Sequence, residues 1–145
     1  MKKLQADLIA PCGFNCALCA ANQKKEGEKG YCSGCYVADG KEKAHCSKCA
    51  FNRCPVLKDN GYRFCYECDK FPCRKLELHD EKYIKCANAS VIENLKYIKQ
   101  HGVDAFFEVE TIRWKCRKCG ELICMPKNRC LHCNRLVPKK KENYE

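Results

Sequence analysis

Several things are scarce in this sequence, and each scarcity removes a class of protein. Aromatic residues are 10% of the chain, with a single tryptophan, so large apolar side chains are not abundant enough to dominate a core. No stretch approaches the 18 or more apolar residues of a membrane-spanning helix. The opening MKKLQADLIA carries no apolar run of signal-peptide length, because Gln5 and Asp7 interrupt it. The expectation is a cytoplasmic protein with no membrane segment. There is no HExxH, no paired-carboxylate pattern and no nucleophile elbow, so neither an enzyme activity nor a small-molecule substrate is expected. At 145 residues the chain also falls short of the roughly 200 residues of a TIM-type barrel.

What the chain has instead is cysteine. Seventeen in 145 residues exceeds the share of about 8–10% that marks a cysteine-dependent scaffold. Six CxxC pairs punctuate it: Cys16 with Cys19, Cys32 with Cys35, Cys46 with Cys49, Cys65 with Cys68, Cys116 with Cys119 and Cys130 with Cys133. In a reducing compartment an odd thiol count fits metal ligands better than a disulfide framework. A CxxC turn aims two sulfurs at one ion, and two turns complete the four-sulfur shell that Zn2+ prefers. Joined in chain order, the pairs make three tetrahedral zinc sites. The fold is therefore expected to lean on thiolate coordination in place of an extensive apolar interior.

The C-terminal site has the most specific spacing. WKCRKCGELICMPKNRCLHCN places CxxCG, a short apolar turn and a second CxxC in the layout of a zinc ribbon. Gly120 suits a backbone position at positive φ, and Leu122 and Ile123 read as a short strand. Cys124 and His132 lie inside this loop and could replace a ligand there, although the favoured reading is a small packing residue and an exposed imidazole.

The N-terminal half holds more thiols than two sites need. Cys12, Cys54 and Cys73 remain as alternate ligands, with His45 a further one. CSKCAFNRC and CYECDKFPC repeat one spacing, CxxCxxxxC. Either adjacent knuckles share a metal, or the third cysteine of each repeat enters an interleaved site. Cys12, Cys16 and Cys19 show the CxxxCxxC spacing of radical S-adenosylmethionine enzymes, but the barrel is missing. Cys54-Pro55 ends like a ferredoxin motif, so a [4Fe-4S] cluster in this half is the alternative to zinc, in a redox or metal-handling protein whose mobile thiols would include Cys86.

The expected architecture is a small metal-stabilised α+β fold: a cysteine-rich module over 1–80, a helical linker over 81–113 packed on it, a zinc ribbon over 114–138 and a basic tail over 139–145. Short helices are expected after the knuckles, in ALCAANQKK and FPCRKLELHDEKY, with Pro72 at an early helical position. SVIENLKYIKQHG is the clearest helix: Ser90 and Glu93 form a capping box, Val91, Ile92, Leu95 and Ile98 share a face, and Gly102 stops it. A second helix is expected from Asp104, with Phe106, Phe107 and Trp114 as core.

The formal charge of +10 counts thiols as neutral. Three zinc ions bound by twelve thiolates lower it to about +4. The surviving excess lies in residues 111–141, where ten Lys/Arg face Glu121 alone. Arg113, Lys115, Arg117, Lys118, Lys127, Arg129 and Arg135 are thus candidate contacts to nucleic acid or to an acidic protein.

With IAPCGFNCALCAA, CSGC, HCSKCAFNRC, CYECDKFPCRKLE, IENLKYIKQHG, WKCRKCG and CLHCN in view, most of the chain resembles an uncharacterised cysteine-rich prokaryotic family, domain of unknown function 3795, usually described as zinc-binding. The resemblance implies that Cys12, Cys54 and Cys73 belong to the N-terminal module. It implies no catalytic residue and no substrate.

Overall fold

The computed structural model describes residues 8–25, 27–29, 31 and 54–136. Four of the expected zinc ligands, Cys32, Cys35, Cys46 and Cys49, lie outside the described residues, as do His45 and the tail at 139–145.

Five helices carry the described chain: α1 (Ala20–Gln23), α2 (Pro55–Asn60), α3 (Arg74–Ala87), α4 (Val91–His101) and α5 (Val103–Arg113). Three 3-10 turns punctuate them at Cys16–Leu18, Cys65–Glu67 and Met125–Lys127. The first two are CxxC knuckles. In each, the fourth residue donates back to the first carbonyl, Cys19 N to Cys16 O at 3.0 Å and Cys68 N to Cys65 O at 3.1 Å, which holds both sulfurs on one side of the turn. Glu67 reinforces its turn by accepting from the backbone N–H of Arg63 and Phe64, at 2.6 and 2.9 Å.

Strand pairing among the described residues is limited to isolated bridges, Ile9 with Asn15, Lys115 with Leu122, Cys124 with Arg129 and Arg129 with Leu136. The α+β expectation therefore reduces to a small helical fold with few paired residues. Leu122 does pair, but the segments between knuckle and turn are too short to extend a bridge into a ladder.

α4 starts where its sequence indicates. Ser90 Oγ accepts from Glu93 N at 3.1 Å. Asp80, buried on α3, also serves this helix start: its Oδ1 accepts from Ser90 Oγ at 2.7 Å and from Ile92 N at 3.1 Å. α3 begins at Arg74 with Cys73 as its N-cap, so Pro72 stands one residue ahead of the cap, not in the first turn. It runs unbroken across the boundary expected at residue 80.

Val91, Leu95 and Ile98 of α4 are buried, and Ile92 is half-buried. Val91 and Leu95 meet the N-terminal loop at Gly13, whose φ is +90°. A Cβ there would stand 2.6 Å from Val91 O and 2.8 Å from Leu95 Cγ, so only glycine permits the approach. Asn94 Nδ2 seals it by donating to Gly13 O at 3.0 Å. α5 starts at Val103, one residue before the expected Asp104. Its Phe106 and Phe107, together with Trp114, are buried, as expected of core aromatics.

One cluster of buried residues extends from Leu8 and Ile9 through Leu57, Leu76, Leu95 and Phe106 to Trp114, Ile123 and Cys130. The chain thus has more apolar interior than its composition indicates, because cysteine and alanine fill it alongside the few large side chains. Fully burying one leucine such as Leu95 contributes about 2 kcal/mol.

Candidate metal centre

The C-terminal loops form two arms of matching construction. In the first, Cys116 N donates to Glu121 O at 2.7 Å and Gly120 N to Cys116 O at 2.8 Å. In the second, Cys124 N donates to Arg129 O at 2.7 Å and Cys130 N to Arg135 O at 2.9 Å. Each knuckle is followed by a left-handed residue, Gly120 at φ +83° and Asn134 at φ +65°. The CxxCG signal exposes the first. The second is less visible in sequence, because asparagine tolerates this conformation but does not announce it.

These arms bring together Cys116, Cys119, Cys130 and Cys133, whose sulfurs all lie within 4.8 Å of one another. Cys116 Sγ and Cys133 Sγ are 3.6 Å apart, and Cys119 Sγ and Cys130 Sγ 3.5 Å. A tetrahedral ion with bonds of about 2.3 Å requires sulfurs about 3.8 Å apart. The donor set can therefore hold a metal ion. Cys116 is already disposed to ionise: backbone N–H groups of Cys119 and Lys118 hold its thiol down to about 6. At Cys119 the backbone N–H of Glu121 favours the thiolate, but desolvation and the adjacent sulfurs of Cys130, Cys116 and Cys133 outweigh it and push the thiol up to about 12. Four thiolates this close repel one another without a cation, which is the electrostatic demand a bound metal would meet. Cys124 is buried and is not part of the group of four; its thiol faces Cys19 and the Ala20 backbone at the first knuckle, and burial pushes it up. His132 is exposed.

Three hydrogen-bonded links fuse the centre to the helical body. Trp114 Nε1 donates to Glu110 Oε2 at 3.0 Å. Gln23 Nε2 donates to Ile123 O at 2.9 Å, and Asn128 Nδ2 to Cys86 O at 2.7 Å. Glu110, only 2% exposed, also accepts from the Asn15 side chain, yet desolvation prevails and its carboxyl is raised to about 7.

The candidate nucleic-acid contacts divide by surroundings. Lys115, Arg117, Lys118, Lys127 and Arg135 are exposed. Arg129 donates from Nη1 to Asn134 Oδ1 at 2.7 Å. Arg113 lies over the Trp114 ring, 4.6 Å from its centroid. A groove of about 380 Å3 is lined by Ile112, Arg113, Lys115, Cys116, Arg117 and Gly120, and among the described residues no acidic side chain lines it.

The N-terminal thiols fall into two sets. Cys12, Cys16 and Cys19 lie near Cys86 around the Tyr83 hydroxyl, whose pKa is raised by burial first and then by these sulfurs. Cys54, Cys65, Cys68 and Cys73 line one cavity at the mouth of α3. Chain-order pairing expects Cys32 and Cys35 to complete a site with Cys16 and Cys19. It expects Cys46 and Cys49 to complete another with Cys65 and Cys68. Because Cys32, Cys35, Cys46 and Cys49 lie outside the described residues, two of the three expected four-cysteine sites fall partly outside them, and the C-terminal site is the one whose four ligands are all described. What the described residues do show is a different grouping, in which Cys54 and Cys73 join Cys65 and Cys68. Cys86 was legible only as a spare thiol, since it stands alone on a helix with no partner at knuckle spacing.

Neither the curated proteins nor the solved structures give a match. Residues 8–78 carry both N-terminal thiol sets except Cys86, exclude the C-terminal centre, and match the family described as a protein of unknown function, DUF3795.

Proposed function

We propose that the protein is a zinc-stabilised binding module whose C-terminal loops form a zinc ribbon and present cations to nucleic-acid phosphates. The convergence of Cys116, Cys119, Cys130 and Cys133 to the spacing of a single tetrahedral ion carries this reading. A four-sulfur shell leaves no position for a reactive water, so the ion serves structure. The same knuckle that supplies Cys116 and Cys119 carries Lys115, Arg117 and Lys118 on its outer surface, all exposed. Cations on a rigid knuckle bind phosphate at lower ordering cost than cations on a free tail. Trp114 is buried against Glu110 and contributes to the core, so phosphate contact, not base stacking, is the expected mode.

The test has two parts. Zinc analysis should find one ion per chain that is lost in Cys116→Ser. Binding of a single-stranded oligonucleotide should weaken steeply with salt, and the triple variant Lys115→Glu, Arg117→Glu, Lys118→Glu should flatten the logarithmic salt slope by about 2, at roughly 0.7 per lost phosphate contact. A dissociation constant independent of salt would refute the nucleic-acid reading. Binding to an acidic protein but not to the oligonucleotide would refute it equally and assign the surface to a protein partner.

A further inference from the structure

Cys54 stands at the N-cap of α2, Cys65 and Cys68 bracket the 3-10 turn that follows, and Cys73 is the N-cap of α3. These positions are separated by up to nineteen residues of sequence, yet all four side chains line one cavity of about 70 Å3. The rest of its wall is chiefly apolar, from Pro55, Leu57, Phe71 and Leu76, with Lys70 and Lys75 at the edge. Four thiols converging on an apolar cavity have no packing explanation, since aliphatic side chains would fill the same space without leaving a void.

The spacing separates this set from the C-terminal one. Among the described residues, only the C-terminal four bring three or more ligand atoms within 4.8 Å of one another. The four cavity cysteines share one wall without any three of their sulfurs coming within 4.8 Å of one another. A single tetrahedral ion would require the short sulfur separations of the C-terminal centre and would leave no void between them. A cavity of about 70 Å3 is several times the roughly 10–15 Å3 that one small occupant requires. A polynuclear iron–sulfur core, whose thiolates bind different iron atoms and stand farther apart, meets both conditions.

We propose that Cys54, Cys65, Cys68 and Cys73 ligate a [4Fe-4S] cluster. Ligation releases four thiol protons, and four thiolates on a core of charge +2 leave a net charge of −2. Three features of the site offset that charge. Lys70 and Lys75 are cationic at the cavity edge, the Lys70 backbone N–H points at Cys68 Sγ at 3.4 Å, and Cys73 sits at the positive end of the fourteen-residue α3. Leu57 and Leu76 give the buried side of the wall an apolar lining, while Cys54, Cys68 and Cys73 are half-buried. This site is independent of the C-terminal centre, so either assignment can fail alone.

The experiment uses the full chain, purified anaerobically and reconstituted with sulfide and equal amounts of ferric and ferrous iron, which supply the two ferric and two ferrous ions of a +2 core, with iron, acid-labile sulfide and zinc counted together. The expected result is a brown protein absorbing near about 400 nm, with roughly four irons and four sulfides per chain and zinc retained at the C-terminal centre. Cys54→Ser and Cys73→Ser should each lose most of the colour while keeping that zinc, which shows that the rest of the chain is folded. Cys86→Ser, outside the cavity, should keep the colour. A colourless protein that binds a second zinc, lost in Cys73→Ser, would overturn the proposal in favour of a single-ion site. Colour that survives both cavity variants but disappears in Cys16→Ser would overturn it by placing the cluster at the other thiol set.

Discussion

Glu110 is the residue at which burial and charge conflict most directly, and replacing it by glutamine gives a signed, pH-dependent result. Its carboxyl is raised to about 7 from 4.5, first by desolvation, against opposing contributions from Arg113, Trp114 and Asn15. Below about pH 4.5 the group is protonated in both folded and unfolded chains and favours neither. Between 4.5 and about 7 the unfolded chain has ionised while the folded one holds its proton, so stability falls by about 1.4 kcal/mol per pH unit. Above about 7 the loss is complete, and over 2.5 units it amounts to roughly 3 kcal/mol. Glutamine removes the titration and can still accept the Trp114 bond, although its amide adds a donor that must find a partner. The stability of Glu110→Gln minus that of the native protein should therefore rise by about 2–3 kcal/mol from pH 5 to pH 8, or about 4–12 °C in Tm. The assay is parallel thermal and urea denaturation at several pH values with equal metal loading, because only the difference cancels thiol protonation. A difference that stays flat with pH would refute the conclusion that Glu110 titrates from a dry site.

Three further outcomes follow from the packing. Gly13→Ala places a Cβ 2.6 Å from Val91 O at a φ of +90°, and the combined strain and overpacking should cost about 2–4 kcal/mol in urea denaturation. Asp80→Ala leaves the Ser90 hydroxyl and the Ile92 amide without the oxygen they share; the expected loss is about 2 kcal/mol, with Asp80→Asn recovering part of it. Chelation should abolish amide protection in the C-terminal loops by hydrogen exchange while the helical circular dichroism changes little, because the core through Leu76, Leu95 and Phe106 is apolar.

Local rules made some features legible and non-local contacts hid others. The α4 helix could be read from Ser90, its apolar stripe and Gly102, because capping and periodicity act within one turn or two. The C-terminal centre could be read because its four ligands lie within eighteen consecutive residues. Asp80 as a cap for the next helix could not, since a buried aspartate ten residues away leaves no local pattern. Nor could the extent of the core: it depends on small residues such as Ala10, Ala17, Ala87 and Ala89 being buried, and composition does not rank alanine as a core builder. Cys54 and Cys73 were visible as surplus thiols, but spacing alone left their partners open, and only the tertiary path of α2 and α3 brings them to one cavity.

The links around the C-terminal centre decide how its metal and the helical body influence each other. Trp114 closes the metal loops on one side and reaches Glu110 on the other, and Glu110 in turn accepts from Asn15 beside the first knuckle. Gln23 and Asn128 make two more crossings, to Ile123 O and Cys86 O. An ion that binds only when Cys116, Cys119, Cys130 and Cys133 converge stabilises the state in which those crossings are formed, so part of its binding free energy reaches α3 and α5. Reciprocally, a substitution that loosens the Glu110 hub weakens metal affinity without touching a ligand. Because Asn15 adjoins Cys16 and the Asn128 bond ends on Cys86, the same crossings connect the C-terminal sulfurs to the thiols around Tyr83. Metal loading at the C-terminal centre is therefore expected to alter the packing of the thiols around Tyr83, while leaving the cavity of Cys54, Cys65, Cys68 and Cys73 unaffected.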